Sequence, residues 1–164
     1  MADDAGVPGG SGDGGPGTGE GGTPTTPTAG GSCPGLPAAT DYAAKGPFGD
    51  VMMKANVGAG GEDCTLFRPG ASLGKDGFKH PVAVWGNGIA TTPDQYQKLL
   101  GHIVSHGFVV IACNSSMPEQ PCLNTCMEWL VKQNASGDMA GKLDLSKEVT
   151  IGYSWGGGAA IDTS

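Results

Sequence analysis

The residues with the clearest chemical potential form a G-x-S-x-G sequence, Gly152-Tyr153-Ser154-Trp155-Gly156, near the end of the 164-residue chain. The sequence follows a short run of β-type residues, 149–151, and precedes small residues typical of a helix start, 157–161. A serine on a sharp strand-to-helix turn exposes its hydroxyl, and flanking glycines leave room for the bend. We therefore predict that Ser154 is a nucleophile on such a turn. The alternative is a plain helix N-terminus with Ser154 as its N-cap.

A serine nucleophile needs hydrogen-bond donors for the negative oxygen of its tetrahedral intermediate and a base for its proton. The backbone N–H of Trp155, directly after the serine, is one expected donor. The backbone N–H of Asn87, which follows an earlier buried strand, is the other. We expect no cofactor and no metal, because no histidine stands near the cysteines at zinc-ligand spacing.

The histidines are poor candidates for the base. His80 directly precedes a strand, and His102 and His106 lie on a predicted helix, His106 in the last turn, where a cation is favoured. In sites of this type the acid and the histidine follow the nucleophile, but no histidine follows Ser154. We expect both groups to lie beyond Ser164, so that this chain alone lacks measurable esterase turnover.

Several apolar runs predict the strands that position these residues. Residues 81–85 and 108–112 are continuously apolar, as is required of strands buried on both faces. A third buried strand is predicted from 144 to 151, leading into the serine turn. Two further strands are predicted over 49–55 and 64–69, bounded by glycine-rich turns.

Two amphipathic segments separate the buried strands. The first helix is predicted to begin at the N-cap Thr92, with Gln95 completing a capping box, and to end at Gly107. Its predicted apolar face comprises Tyr96, Leu99, Leu100, Ile103 and Val104. The second helix has the same spacing in Leu123, Cys126, Met127, Leu130 and Val131. Strands alternating with helices favour an α/β fold with a mostly parallel sheet.

The first 40 residues differ in composition from the rest. Residues 1–40 are rich in Gly, Pro and Thr and contain no aromatic or basic residue, which predicts a disordered tether before a partial α/β domain over 41–164. The net charge of −7 comes without a basic stripe, which argues against nucleic-acid binding. No apolar run approaches the roughly 20 residues that a transmembrane helix needs.

The five cysteines favour an oxidising compartment. We expect a disulfide from Cys113 to Cys122 or Cys126, with Cys33–Cys64 as a second possibility. A Gly/Pro/Thr tether is also common in exported proteins. The expected location is therefore extracellular, secreted or lipoprotein-anchored, with a leader that this chain does not contain. The alternative is a cytoplasmic protein with a disordered head.

Taken together, the chain resembles the bacterial polyesterase–lipase–cutinase family of α/β-hydrolases, which includes poly(ethylene terephthalate) hydrolases. The resemblance covers about residues 45–164, and the stretches that carry it are 66–69, 80–87, 105–110, 143–146 and 152–158. It implies an α/β-hydrolase-type sheet truncated after the helix that follows the serine. It also implies that Ser154 is the nucleophile, and that the Asn87 and Trp155 amides form the oxyanion hole.

The implied activity is that of an exported serine carboxylic-ester hydrolase, such as an esterase, lipase or cutinase. It would act through an acyl-enzyme on small-molecule or polymeric esters. Two departures matter: Asn87 stands where polyester hydrolases usually carry an aromatic residue that stacks on the substrate, and Trp155 where they usually carry methionine. The alternative is a non-catalytic truncated product, or a secreted binding protein on a hydrolase scaffold.

Overall fold

The computed structural model describes residues 41–58 and 63–163. The tether predicted over 1–40 lies outside the described residues. Five strands form one mixed sheet in the order β1-β2-β4-β3-β5. The strands are β1 (Val51–Val57), β2 (Cys64–Pro69), β3 (His80–Gly86), β4 (Val109–Cys113) and β5 (Leu143–Gly152). The helices are α1 (Gln97–Ser105), α2 (Gln120–Ser136) and α3 (Trp155–Thr163).

The sheet is parallel in only one part. β3 runs parallel to both β4 and β5, whereas β2 runs antiparallel to β1 and to β4. The prediction of an α/β fold is confirmed, but the sheet is mixed and not mostly parallel, since two of its four strand pairs are antiparallel. The connections from β3 to β4 and from β4 to β5 run through α1 and α2. Because these three strands are parallel, their carboxyl ends lie at the same end of the sheet.

Alternate residues of the central strands face opposite layers of helices. Val82 and Val84 pack in a core with α2 and with Ala159 of α3, whereas Ala83 and Trp85 pack in a second core with α1. Period-two alternation with both faces covered explains why the run 81–85 is apolar throughout.

β5 lies at an edge of the sheet, and the prediction that 144–151 is a buried strand is wrong: these residues are partly buried at both ends of the range and exposed in the middle. Residues 146–149 are exposed, because β3 is the neighbour of β5 in the sheet and no described element covers this stretch. The pairing between the two strands also shifts: Pro81 pairs with Asp144, but Val82 pairs with Glu148. A proline has no N–H to donate to the ladder, which accounts for an irregularity at this point.

The capping box predicted for the first helix is present, but it begins a 3₁₀ turn, Pro93–Tyr96, and not the α-helix. The N–H of Thr92 donates to Oε1 of Gln95 at 3.2 Å. Leu99, predicted to be on the apolar face of α1, is exposed, because Leu100 and Val104 mark the buried side of the helix and the preceding position lies about 100° from Leu100 around the helix axis. Val131 of α2 is exposed as well.

Two disulfides join α2 to the sheet, Cys113–Cys122 and Cys64–Cys126. The first is one of the pairings expected for Cys113. The expected Cys33–Cys64 bridge is wrong, because Cys64 pairs with Cys126; Cys33 itself lies outside the described residues. Cys122 and Cys126 are one helical turn apart, and each reaches a different strand.

Candidate active site

The serine turn has the strand–turn–helix form that the sequence predicts. β5 ends at Gly152 and α3 begins at Trp155. Between them the Tyr153 N–H donates to the Gly86 carbonyl at 3.0 Å, which continues the pairing of β5 with β3. Ser154 is exposed and has φ of 53°, a left-handed value that non-glycine residues rarely adopt.

Three glycines allow the first turn of α3 to approach the strand ends. A Cβ on Gly156 would overlap the carbonyl group of Gly86, and a Cβ on Gly152 would overlap the carbonyl group of Gly156. A Cβ on Gly86 would in turn lie 2.9 Å from the Gly156 oxygen. Both glycines of the G-x-S-x-G sequence are therefore required by close backbone packing.

The same packing places the backbone of Asn87 against the first turn of α3. The carbonyl oxygen of Asn87 is among the atoms that a Cβ on Gly156 would meet. Trp155 is the first residue of α3, so its N–H has no partner within the helix. Whether these N–H groups bind an oxyanion stays a prediction.

The side chain of Asn87 has a structural role that the sequence did not reveal. It is fully buried, and its Nδ2 donates to the Ser115 carbonyl at 2.7 Å and to the Thr91 carbonyl at 3.0 Å. Asn87 therefore fastens the loop after β3 to the loop after β4. A buried side chain adds no surface for a substrate, so the stacking surface expected of an aromatic residue at this position is absent.

A groove of about 480 Å³ opens beside Ser154. One wall is the start of α2, residues 118–121. The other is the face of α3 that comprises Trp155, Gly158, Ala159 and Asp162. Gln120 joins the walls, because its Nε2 donates to the Asp162 carbonyl at 2.6 Å. The 118–121 wall was not predicted from the sequence, although Cys113 and Cys122 on either side of this loop were a usable signal.

Aromatic side chains lie on the β3 side of the serine. Tyr153 is 59 % exposed, and its ring centroid is 6.0 Å from that of Tyr96. Tyr96 packs against the largely buried Trp85, with 5.1 Å between the ring centroids. The Tyr96 hydroxyl lies 3.0 Å from the Thr91 hydroxyl. Tyr153 and Trp155, which is 47 % exposed, therefore place aromatic surface on both sides of Ser154 in the sequence.

His80 is buried at the opposite end of β3. It is six residues before Gly86, which corresponds to about 20 Å of strand. Its Nδ1–H donates to the Gly107 carbonyl at 2.7 Å and its Nε2 accepts the Gly74 N–H at 3.0 Å, which fixes a neutral tautomer. Burial lowers the pKa of His80, and the hydrogen bond to the Gly107 carbonyl opposes that shift.

The other two histidines hold the segment that precedes β1. His102 Nε2 lies 2.8 Å from the Tyr42 carbonyl oxygen, and His106 Nε2 lies 3.2 Å from that of Ala44. No histidine among the described residues lines the groove beside Ser154. Within the same residues, no three His, Cys, Asp or Glu side chains come together in a way that could hold a metal ion.

None of the helices described is both long and apolar enough to cross a membrane. Comparison of the sequence with protein-family models and with curated proteins gives no match.

Proposed function

We propose that Ser154 is the nucleophile of an exported serine carboxylic-ester hydrolase that acts through an acyl-enzyme on small-molecule or polymeric esters. One observation carries the proposal: the serine is exposed at positive φ between a strand and a helix. An N-cap residue normally has extended backbone, whereas positive φ costs a non-glycine residue about 1–2 kcal/mol. The plain N-cap interpretation does not account for that cost.

The proposed reaction follows from the groups around the serine. A base takes the proton of the Ser154 hydroxyl as Oγ attacks the ester carbonyl carbon, and the carbonyl oxygen becomes negative next to the N–H groups of Trp155 and Asn87. Loss of one such donor typically costs about 3 kcal/mol of transition-state stabilisation. The intermediate collapses, the C–O bond to the alcohol breaks, and the base returns its proton to the departing alkoxide. Water, deprotonated in turn by the base, then hydrolyses the acyl-serine. The two disulfides support an oxidising location such as the extracellular space.

The test must supply a base, since no histidine lines the groove in the described part of the chain. We would incubate the chain with p-nitrophenyl acetate, with and without imidazole as an external base. Intact mass and peptide mapping would then locate any acetyl group. We expect imidazole-dependent acetylation of Ser154, and we expect the acetyl group to persist because deacylation needs a base as well.

Ser154→Ala is the control, because it removes the nucleophile and leaves lysine acetylation unchanged. Acetylation confined to lysines in both proteins would contradict the proposal. That outcome would favour the second candidate, a non-catalytic binding protein on a hydrolase scaffold. The observation in favour of this candidate is that each described histidine is hydrogen-bonded to backbone groups away from the groove.

A further inference from the structure

The loop that forms one wall of the Ser154 groove is closed by a disulfide. Cys113 is the last residue of β4, and Cys122 lies in the first turn of α2. The wall residues, 118–121, lie between these two cysteines. The position of the wall therefore depends on this bridge and on the hydrogen bonds within the loop.

Those hydrogen bonds divide the loop into two parts. The first part is held by the loop after β3: the Ser115 carbonyl accepts from Asn87 Nδ2, and the Ser116 carbonyl accepts from the Ala90 N–H at 2.7 Å. The wall itself is joined to α3 by the Gln120–Asp162 hydrogen bond. The Cys113–Cys122 disulfide is thus the covalent restraint nearest to the wall, and Cys64–Cys126 holds α2 one turn further on.

The two disulfides differ in accessibility. Cys64 and Cys126 are both fully buried, so a thiol reaches neither sulfur without a local opening of the core. In the other bridge Cys113 is fully buried but Cys122 is partly exposed. Cys122 is therefore the most exposed of the four cysteines in these two bridges.

The surroundings of the sulfurs favour the same bridge. Attack at Cys122 releases Cys113 as a thiolate, and the Ser115 N–H points to the Cys113 sulfur at 3.4 Å, where it stabilises that charge. In the other bridge the carbonyl oxygen of Asp63 lies 3.9 Å from the Cys126 sulfur. A carbonyl oxygen disfavours a thiolate, and a leaving group that bears its charge poorly leaves slowly.

We propose that the Cys113–Cys122 disulfide is a redox-sensitive clamp on the groove beside Ser154, opened by a dithiol while the Cys64–Cys126 disulfide stays closed. The groove is that of the proposed function, but the clamp does not depend on the reactivity of Ser154. Opening it releases the start of α2, and with it the 118–121 wall.

The exchange is balanced in two steps. One thiolate of the dithiol attacks the Cys122 sulfur, the protein S–S bond breaks, and Cys113 leaves as a thiolate that takes up a proton. The second thiolate of the reagent then attacks the mixed disulfide and releases Cys122, which is protonated in turn. The dithiol is oxidised to its disulfide, and the protein gains two electrons and two protons.

The first experiment measures which cysteines become reactive. A Cys33→Ser chain would be treated with dithiothreitol under native conditions, quenched in acid, alkylated with N-ethylmaleimide and mapped by mass spectrometry. We expect reduction of the Cys113–Cys122 disulfide, read from the alkylated fraction at each time point, to be at least about tenfold faster than reduction of Cys64–Cys126. Equal rates for the four cysteines would overturn the proposal.

The second experiment measures whether the wall is released. The N–H groups of Cys122 and Leu123 both donate to the Glu119 carbonyl, at 3.0 and 3.3 Å. After selective reduction we expect their hydrogen exchange to accelerate at least about tenfold, with the amides of β4 unchanged. Unchanged exchange at Cys122 and Leu123 would contradict the clamp.

Two paired variants separate the clamp from general loss of stability. Cys113→Ala/Cys122→Ala should show the fast exchange without reductant. Cys64→Ala/Cys126→Ala should keep slow exchange at residues 122 and 123 until dithiothreitol is added. Neither readout uses ester cleavage, so a failure of the proposed function leaves this result intact. The reverse pattern in the two variants would reject the inference.

Discussion

The backbone of Gly156 packs directly against the carbonyl group of Gly86, with no room for a Cβ between them. This contact joins the first turn of α3 to the end of β3. It sets the distance between Ser154 and the loop that carries Asn87.

Gly156→Ala should therefore be strongly destabilising. We expect a loss of about 3 kcal/mol or more in the free energy of unfolding, because backbone must move to accommodate the methyl group. Urea denaturation would measure the loss. The matched control is Gly158→Ala, two residues further along α3, where a Cβ meets nothing within 4 Å. The control should be neutral or more stable by up to about 1 kcal/mol, owing to helix propensity. Similar values for both variants would contradict the contact.

Ser154→Gly should make the protein more stable. Glycine adopts positive φ without steric cost, so we expect the free energy of unfolding to rise by about 1 kcal/mol. Ser154→Ala keeps a Cβ at the same φ and should show no such gain. Both variants should lose acetylation at position 154. A Ser154→Gly protein no more stable than Ser154→Ala would mean that the backbone at this position is not strained.

The Asn87 amide should contribute to stability through both of its donors. Asn87→Ala leaves the Thr91 and Ser115 carbonyls without these partners, and we expect a loss of about 2–3 kcal/mol in the free energy of unfolding. Asn87→Asp has nearly the same shape but directs a carboxylate oxygen at carbonyl oxygens, so the loss should be at least as large. Wild-type stability of the Asp variant, by thermal or urea unfolding, would refute this role.

His80 should make stability depend on pH. The unfolded chain takes up a proton at this residue near its ordinary pKa of 6.5, whereas burial holds the folded pKa lower. The stabilisation is therefore complete above pH 6.5 and falls as the pH decreases toward the folded pKa, by at most about 1.4 kcal/mol per pH unit. We expect His80→Gln to lose this slope when unfolding is measured at several pH values. An unchanged slope would assign the dependence to other groups.

Asp144 should make stability depend on pH in a separate, more acidic range. Hydrogen bonds from Ser146, and the nearby Lys147 ammonium, hold the pKa of this carboxyl below its ordinary value of 3.8. Its contribution is present above pH 3.8 and is lost at lower pH, which is below the range where His80 begins to act. Measurements between pH 5 and 7 therefore report His80 without interference from Asp144.

The two disulfides should differ in their contribution to stability. They close loops of 62 and 9 residues. The loop-entropy relation gives about 4 kcal/mol for Cys64–Cys126 and about 2.5 kcal/mol for Cys113–Cys122. Paired alanine variants of each bridge, unfolded in urea, should keep this order. A larger loss for the Cys113–Cys122 pair would indicate that strain or residual structure outweighs loop entropy.

The sequence was sufficient to predict the elements that depend on local pattern. Continuous apolar runs identified β3 and β4, and the G-x-S-x-G spacing identified the turn at Ser154, because close backbone approach leaves a glycine signature. The disulfide pairing was only partly predicted, because Cys122 and Cys126 are equally plausible partners until the positions of β2 and β4 are known. Burial at Leu99 was mispredicted for another reason: the buried stripe of α1 is narrower than the apolar spacing indicated, with Leu100 and Val104 buried and Leu99 exposed.

The contribution of Asn87 illustrates what a motif cannot convey. The sequence indicated a backbone donor, and this remains a prediction. Its buried amide joins two loops that are 28 residues apart, from Asn87 to Ser115. Such a contact depends on β3 and β4 lying side by side, which is a property of the assembled sheet.

The irregular pairing between β3 and β5 after Pro81 determines where β5 can vary in length. Residues 145–147 of β5 are passed over in the ladder with β3, since Asp144 and Glu148 pair with consecutive residues. The register of the second half is set independently, by the pairing of 148–152 and the Tyr153–Gly86 hydrogen bond. Insertions or deletions at 145–147 should therefore alter only this part of β5. Ser154 would keep its position, while the exposed residues before the paired segment 148–152 could vary in number and type.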